Sequence, residues 1–306
     1  MLAFLAPGQG SQTPGMLAEW LELPGAADRI AGWSEISGLD LGLLGTTATA
    51  EEITDTAVTQ PLVVAATLLA FEELKKREVL TGEEQIVAAG HSVGEIAAYA
   101  VAGVISADEA VALAATRGKE MAKACALEPT GMSALLGGDE AEVLARLEAL
   151  DLVPANRNAV GQIVAAGAVA ALEKLAEDPP ARARIRPLAT AGAFHTQYMA
   201  PALDEYTRVA DRVDPADPSV TLLSNSDGRP VSSGADAMAK LVAQMIRPVR
   251  WDLCTESMKE LGVTAIVEFP PAGTLTGIAK RELRGTPTHA VKSPADLDGL
   301  AETLRA

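Results

Sequence analysis

The hydrophobic and polar positions in the first 126 residues predict strands that alternate with helices. Short apolar runs flanked by turn-forming residues are typical of buried strands, and longer segments with one apolar face are typical of helices. Such alternation indicates an α/β layer built on a parallel sheet. The predicted strands are 2–6 and 86–89, and two predicted helices are 60–76 and 95–103. A third helix is predicted to begin at a capping box formed by Ser106 and Glu109 and to run to Lys123.

The pattern changes between residues 131 and 188. Six shorter elements follow one another there in the order β-α-β-β-α-β, which is the ferredoxin-like pattern. We therefore expect a small ferredoxin-like domain, 127–190, inserted into a larger one that comprises 1–126 and 191–306. The six predicted elements are strand 132–136, helix 139–150, strands 153–156 and 163–166, helix 169–177 and strand 185–188; the larger domain resumes with strands 220–224 and 265–268 and a helix at 275–284.

Composition and charge exclude several classes of function. The 306 residues carry a net charge of −16, and binding to nucleic-acid phosphates requires a basic surface, so we expect no nucleic-acid partner. The longest apolar run, 61–71, is shorter than the ~20 residues of a membrane span. The start lacks a basic segment and reaches Pro7 and Gly8 early, which argues against a signal peptide. We expect a cytoplasmic protein with no membrane partner.

The two cysteines, Cys125 and Cys254, lie far apart and show no metal-ligand spacing. Free, buried thiols are expected of both, in agreement with a reducing cytoplasm. No metal site is predicted from the sequence.

A serine between two glycines is the strongest chemical signal in the chain. The segment Gly90-His91-Ser92-Val93-Gly94 fits G-x-S-x-G, the nucleophile elbow, and it lies between a predicted strand and a predicted helix as that motif requires. A turn this tight strains the serine and projects its hydroxyl from the sheet edge. The backbone N–H of Val93, at the helix start, is placed to face a developing oxyanion. The larger domain is therefore expected to be α/β-hydrolase-like; the alternative is a glycine-rich turn with a surface serine.

A nucleophilic serine needs a base, and the chain has three histidines. His91 adjoins the serine and is expected to point elsewhere, and His289 lies in a peripheral stretch near the C-terminus. His195 is the predicted base, against the alternative of an ordinary polar loop residue. No Asp or Glu stands out as a third member. We therefore predict a dyad in which a backbone carbonyl orients the imidazole.

Six sequence blocks resemble the signatures of the malonyl-CoA:acyl-carrier-protein transacylases. They occur in the family's order over nearly the whole chain, and acyltransferase domains of polyketide synthases share most of them. The blocks are PGQGSQ (7–12), GHSVGE (90–95), RGKEM (117–121), NRNAVGQ (156–162), AFHTQYM (193–199) and QMIRPVRW (244–251).

The resemblance implies roles for individual residues. Ser92 would be the acylated nucleophile and His195 its base. The backbone N–H of Gln9 would join that of Val93 in the oxyanion hole, and the backbone carbonyl of Gln244 would hold His195. Further members of the substrate site would be Asn158, in the small domain, Phe194, whose ring would crowd an α-methyl group, and Arg117, whose guanidinium would grip the free carboxylate of a malonyl group.

The expected activity is a ping-pong transfer from malonyl-CoA to the phosphopantetheine thiol of acyl carrier protein. No metal or redox cofactor is implied, and we expect a monomer. A serine thioesterase of the same fold, a non-catalytic docking module and a free-standing polyketide acyltransferase remain alternatives. Acyl carrier proteins are acidic, so docking is expected on a cluster of arginines: Arg182, Arg184, Arg186, Arg247 and Arg250.

Overall fold

Two β-sheets organise the chain in a computed structural model that describes residues 1–80, 82 and 84–305. The strands are β1 (Leu2–Ala6), β2 (Ile86–Gly90), β3 (Thr130–Gly137), β4 (Val153–Ala159), β5 (Gln162–Ala168), β6 (Ala183–Pro187), β7 (Thr221–Leu222), β8 (Val249–Arg250), β9 (Ala265–Glu268) and β10 (Thr288–Ala290). The α-helices are α1 (Ala26–Ser37), α2 (Leu41–Thr46), α3 (Thr56–Lys76), α4 (Gly94–Val101), α5 (Ala107–Cys125), α6 (Glu140–Ala149), α7 (Val169–Glu177), α8 (Leu203–Ala210), α9 (Gly234–Ala243), α10 (Trp251–Glu260), α11 (Thr274–Glu282) and α12 (Pro294–Arg305).

The first sheet is parallel, with the strand order β10-β9-β1-β2-β7. Strands β1 and β2 are neighbours in register, so that Ala6 pairs with Gly90 at their carboxyl ends. The turns that follow these two strands therefore leave the sheet side by side. In open α/β sheets, ligands bind in the crevice outside the carboxyl ends of the strands.

Both faces of the parallel sheet are buried, which explains its continuous apolar strands. Strand β1 shows the alternation: Phe4 points into the core formed with α3, α4 and α5, whereas Leu5 points into the core formed with α10 and α11. The parallel sheet is thus the middle of three layers. Helix α5 begins with the predicted capping box, in which Ser106 and Glu109 bond reciprocally, so that prediction is confirmed.

The second sheet has the order β6-β3-β5-β4-β8. Its first four strands are antiparallel, and the short strand β8 joins β4 in parallel. The predicted succession of six elements between 131 and 188 is confirmed. One face of this sheet packs on α6 and α7 through residues such as Leu135 and Ile163. The other face, which carries Ala134 and Val164, lines a cleft beside the parallel sheet.

Helix α3 is the one described helix that is long and apolar enough to cross a membrane, with a mean hydropathy of 1.4 in its most apolar window. In this structure 72% of that window is buried inside the protein, so the helix is a core element packed on α5.

Several predicted bounds differ from the structure by one to four residues, and two elements and one thiol show why. The strand expected over 220–224 is shorter, Thr221–Leu222, because the chain turns back so that Leu223 forms an isolated bridge with Pro230. Helix α3 begins four residues before the predicted start, where the Asp55 side chain accepts a hydrogen bond from Ala57 N–H. Cys125 is half-buried rather than buried, whereas Cys254 is buried as predicted, and both are free.

Candidate active site

The G-x-S-x-G segment forms the predicted turn between β2 and α4. Ser92 has a φ of +54°, in the left-handed region that a side chain rarely adopts. The glycines on either side are required by close packing. A Cβ on Gly90 would lie 2.0 Å from the Gly94 carbonyl oxygen, and one on Gly94 would lie 2.2 Å from that of Ala6. The sequence folds this way because only glycine lets strand, turn and helix approach so closely.

The hydroxyl of Ser92 meets the histidine that the sequence singled out. Ser92 Oγ lies 2.7 Å from Nε2 of His195, and Nδ1 of His195 lies 2.8 Å from the backbone carbonyl oxygen of Gln244. A carbonyl only accepts, so Nδ1 carries the proton and Nε2 presents its lone pair to the serine. The structure thus places an unprotonated nitrogen in position to take the Ser92 proton.

The electrostatics of the site favour a neutral His195. Burial, together with the positive charge of Arg117, lowers the pKa of His195 to about 3. The imidazole is therefore unprotonated at neutral pH, as a general base must be.

Two backbone N–H groups, those of Gln9 and Val93, are the predicted oxyanion donors. Gln9 lies in the turn after β1, and Val93 follows Ser92 directly. Neither N–H donates a hydrogen bond to another group within the described part of the chain. The side chain of Gln9 donates from Nε2 to Thr56 Oγ1 at 3.3 Å, which fixes the turn against α3.

Arg117 lies in α5 with 1% of its surface exposed. Its Nη1 donates to Oε1 of Gln60 at 2.8 Å, and its Nη2 donates to Oε1 of Gln244 at 2.9 Å. Nη2 also lies 3.5 Å from Ser92 Oγ, while Nε is buried without a partner. Burial lowers the pKa of the guanidinium.

The cleft beside Ser92 has a volume of about 240 Å³ and runs between the two sheets. Gln9, Phe194 and Asn158 line it together with Ser92 and His195, whereas Arg117 is not among the lining residues. Oδ1 of Asn158 lies 2.8 Å from Nε2 of His91, and this contact joins the second sheet to the elbow. His91 therefore points away from the Ser92 hydroxyl, as predicted.

The remaining polar candidates stay outside the chemistry. His289 lies in the edge strand β10. Burial raises the pKa of Cys125 to about 11, which leaves this thiol unreactive. Among residues 1–80, 82 and 84–305, no group of three or more His, Cys, Asp or Glu side chains is arranged to hold a metal ion.

Sequence reasoning missed three buried side chains around the elbow. Gln60 holds Arg117, whereas Asn225, in the loop after β7, and Glu95, in α4, belong to the hydrogen-bond network around the turn. Burial raises the pKa of Glu95 to about 7. Glu95 belongs to the quoted block GHSVGE, so a signal existed for it. No pattern marked Asn225, which is a lone amide in a loop.

Comparisons with known proteins place the chain in a family. The profile of the acyl transferase domain matches residues 3–297. The malonyl CoA-acyl carrier protein transacylase of Mycobacterium tuberculosis is 73% identical over 301 residues, which cover 98% of this chain and 99% of that protein.

Two solved structures extend the similarity to the fold. The crystal structure of the Mycobacterium tuberculosis protein superposes with a TM-score of 0.96 at 72% identity, covering 98% of this chain and 99% of the other. A type II polyketide acyl-carrier protein in complex with its malonyl-transacylase gives 0.92 for the transacylase at 31% identity, covering 99% of both chains. Because the profile and a highly identical relative both span nearly the whole length, the chain belongs to the acyl transferase domain family and, within it, to the malonyl CoA-acyl carrier protein transacylases.

Proposed function

We propose that this acyltransferase moves a malonyl group from malonyl-CoA to the phosphopantetheine thiol of acyl carrier protein, through a malonyl ester on Ser92. The names of its relatives support the substrates. The observation that carries the mechanism is the 2.7 Å contact between Ser92 Oγ and His195 Nε2, with Arg117 3.5 Å from the same oxygen.

In the first half-reaction, Ser92 Oγ attacks the thioester carbonyl of malonyl-CoA while Nε2 of His195 takes the hydroxyl proton. The tetrahedral intermediate then expels the CoA sulfur, which leaves with that proton. The Gln244 carbonyl stabilises the imidazolium that forms in between, because it accepts from Nδ1. In the second half-reaction the thiol of the carrier protein attacks the ester in the mirror sequence, and Ser92 regains its proton.

The N–H groups of Gln9 and Val93 form the proposed oxyanion hole. Because β1 and β2 are neighbours, the turns that carry these two groups meet at one edge of the sheet. Removal of one such donor typically costs about 2.7–4 kcal/mol of transition-state stabilisation.

Arg117 is the proposed clamp for the malonyl carboxylate. Two amide oxygens, of Gln60 and Gln244, fix its plane. On the remaining edge, Nε has no partner and Nη2 lies 3.5 Å from Ser92 Oγ. A carboxylate accepts two parallel hydrogen bonds from such an edge. The clamp distinguishes malonyl from acetyl groups, and it separates a malonyl transferase from a serine thioesterase.

Mass spectrometry after brief exposure to malonyl-CoA tests the proposal. We expect a malonyl adduct on Ser92 that disappears when holo acyl carrier protein is added and appears on that protein instead. The Ser92→Ala variant must remain unlabelled. Release of free malonate at the rate of adduct loss, without transfer, would establish the thioesterase alternative.

A free-standing polyketide acyltransferase is the second candidate. It is supported by the relative solved in complex with a type II polyketide carrier protein. Parallel transfer assays with a fatty-acid and a polyketide carrier protein distinguish the two, because the preferred acceptor has the higher kcat/KM.

The finer assignments of architecture belong to the same proposal. The order β6-β3-β5-β4 supports a ferredoxin-like small domain at 127–190, and the elbow at the edge of the parallel sheet supports an α/β-hydrolase-like large domain at 1–126 and 191–306. We further propose that the protein acts as a cytoplasmic monomer, with neither nucleic-acid nor membrane partners.

A further inference from the structure

Asn225, which has no part in the proposed chemistry, forms hydrogen bonds to the backbone of the elbow. Asn225 lies in the loop after β7 and is 0% exposed. Its Oδ1 accepts the backbone N–H of Ser92 at 2.8 Å, and its Nδ2 donates to the backbone carbonyl of Gly90 at 2.7 Å. One side-chain amide thus links the last residue of β2 to the backbone of the serine two residues later.

The position of Asn225 is itself fixed by its backbone. Its N–H donates to Oε1 of Glu95 at 2.6 Å, and its carbonyl accepts from the Arg250 N–H at 2.8 Å. Glu95 is 0% exposed and lies in the first turn of α4, directly after the elbow. The amide is therefore anchored to the helix that the elbow starts.

The same network reaches the histidine. Nε2 of Gln244 donates to the backbone carbonyl of Ser92 at 3.0 Å and to Oε2 of Glu95 at 2.6 Å, while the backbone carbonyl of Gln244 holds His195. The N–H and the C=O of Ser92 are thus both bound by side chains that lie more than 130 residues away in sequence. These bonds define where the serine lies relative to its base.

We propose that Asn225 is a positioning residue for the nucleophile: its amide holds Ser92 in the left-handed conformation that directs Oγ to Nε2 of His195. This inference rests on the proposed role of Ser92. A left-handed serine persists only where its surroundings determine it, and two hydrogen bonds from a fully buried amide provide that determination. The role concerns acylation and not the binding of the acyl group.

The first test compares acylation rates in a single turnover. In Asn225→Ala, we expect Ser92 to be acylated about 10- to 100-fold more slowly, since a misplacement of about 1 Å costs up to about 10²-fold. The loss should be similar for malonyl-CoA and acetyl-CoA, because the Asn225 amide has no direct contact with Arg117 and reaches it only through Gln244. An acylation rate within about 2-fold of wild type, at an equal folded fraction, would overturn the proposal.

A matched control separates positioning from general stabilisation. Thr67 is 0% exposed, and its Oγ1 donates to the Pro270 carbonyl at 2.7 Å, away from the elbow. Thr67→Val therefore also removes a buried hydrogen bond to the backbone. We expect it to lower the temperature of unfolding and leave the acylation rate unchanged. An equal slowing in both variants would show that Asn225 is only structural.

Binding is measured in a background that cannot react. Isothermal titration of malonyl-CoA into Ser92→Ala, with and without Asn225→Ala, should give dissociation constants within about 2-fold of each other, because only the geometry of the attack is changed. A larger loss of affinity would contradict the proposal. If Ser92→Ala itself still forms the acyl adduct, the proposed function fails, whatever Asn225 does.

The wild-type protein provides a test that does not depend on the variants folding. The Ser92 amide should exchange its hydrogen as slowly as the core amides of β2, because Oδ1 of Asn225 accepts it in the interior. Slow exchange at this position supports the proposal. Fast exchange would overturn it.

Discussion

Nη2 of Arg117 lies 3.5 Å from Oγ of Ser92, which places a buried positive charge beside the hydroxyl that meets His195. The guanidinium has two consequences there. In the proposed mechanism it holds the malonyl carboxylate within reach of the serine, and its charge opposes protonation of the histidine. The proposed substrate choice and the protonation state of the base thus depend on the same side chain.

Removal of Arg117 should change the substrate preference rather than activity in general. A buried ion pair that loses one partner typically costs about 3–5 kcal/mol, so Arg117→Ala should slow malonyl transfer by about 10²- to 10⁴-fold. Transfer from acetyl-CoA, which has no carboxylate, should be unchanged or faster. The matched control is Arg146→Ala, which should change neither rate. Arg146 lies in α6, where it pairs with Asp178. If malonyl and acetyl rates fall together in Arg117→Ala, the arginine is structural.

The pH dependence of kcat/KM should report the lowered pKa of His195. Burial and Arg117 hold this pKa at about 3, so Nε2 remains unprotonated well below the ordinary histidine range. We expect kcat/KM for malonyl-CoA to show no histidine limb between pH 8 and about 5. In Arg117→Ala the largest charge effect on this pKa is removed, so the acid limb, measured with acetyl-CoA, should move to higher pH.

Glu95 needs a control in this experiment, since its pKa is raised to about 7 by burial. A limb near pH 7 that disappears in Glu95→Gln belongs to the carboxyl group. A limb near 6.5 that persists in that variant would show that His195 titrates normally and would contradict the prediction.

The sequence predicted both members of the proposed catalytic pair, Ser92 and His195. One signal is a local motif, and the other is a residue type that occurs three times in the chain. The G-x-S-x-G turn needs close backbone approach, which glycine spacing records, and three histidines allow elimination. The fold class followed from strand and helix periodicity, and the six elements at 131–188 were predicted in the right order.

Residues that act through long-range packing were not predictable in this way. Asn225 meets Ser92 only because β7 lies beside β2 in the sheet, and no spacing in the chain encodes that neighbourhood. Short strands such as β8 and β10 were missed for the same reason, since their pairing and not their pattern defines them. The burial of Arg117 likewise depends on how α3 packs on α5.

Phe194 should set the size limit of the acyl pocket. Its side chain is 6% exposed and lines the cleft next to His195. Wild-type protein should prefer malonyl-CoA to methylmalonyl-CoA, and Phe194→Ala should reduce that preference by about 10- to 200-fold, the value of one methyl group in a tight pocket. Equal kcat/KM values for the two substrates in the wild type would contradict this role. The malonyl rate of the variant serves as the internal control.

Docking of an acidic carrier protein should depend on Arg184 and Arg186. Arg186 pairs with Ala134, which lines the cleft, and Arg184 lies two residues away on the same face of β6. Both exposed arginines therefore lie on the cleft face of the second sheet. Among the described residues neither forms an ion pair, whereas Arg250 of the predicted cluster is paired with Asp252.

Reversal of both charges, Arg184→Glu with Arg186→Glu, should raise KM for the carrier protein and leave KM for malonyl-CoA nearly unchanged. The expected effect weakens as salt is added, because screening already reduces the attraction. The control is Arg208→Glu, which carries the same charge change on α8, where Arg208 is bonded to Glu205. An unchanged KM for the carrier protein would move the docking surface elsewhere.

Two glycine-to-alanine substitutions should show that the glycine of the elbow is required and that a glycine inside a helix is not. In Gly94→Ala the new methyl group would lie 2.2 Å from the Ala6 carbonyl oxygen and 2.5 Å from that of Pro7, neither of which is a flexible side-chain end. The first turn of α4 must therefore shift away from β1, at a cost of about 1–3 kcal/mol of unfolding free energy. Because Ser92 and the Val93 N–H lie in the same turn, acylation should slow as well.

Gly277 is the matched position within a helix. It lies inside α11, and a Cβ there would meet nothing within 4 Å. Alanine favours the helix over glycine by about 1 kcal/mol, so Gly277→Ala should stabilise the protein by that amount and leave acylation unchanged. Urea unfolding should show that Gly94→Ala is less stable than wild type and Gly277→Ala more stable. Single-turnover acylation should be slower in Gly94→Ala only. If Gly94→Ala were as stable and as active as Gly277→Ala, the close approach of β1 and α4 would not be what holds Ser92 at the edge of the sheet.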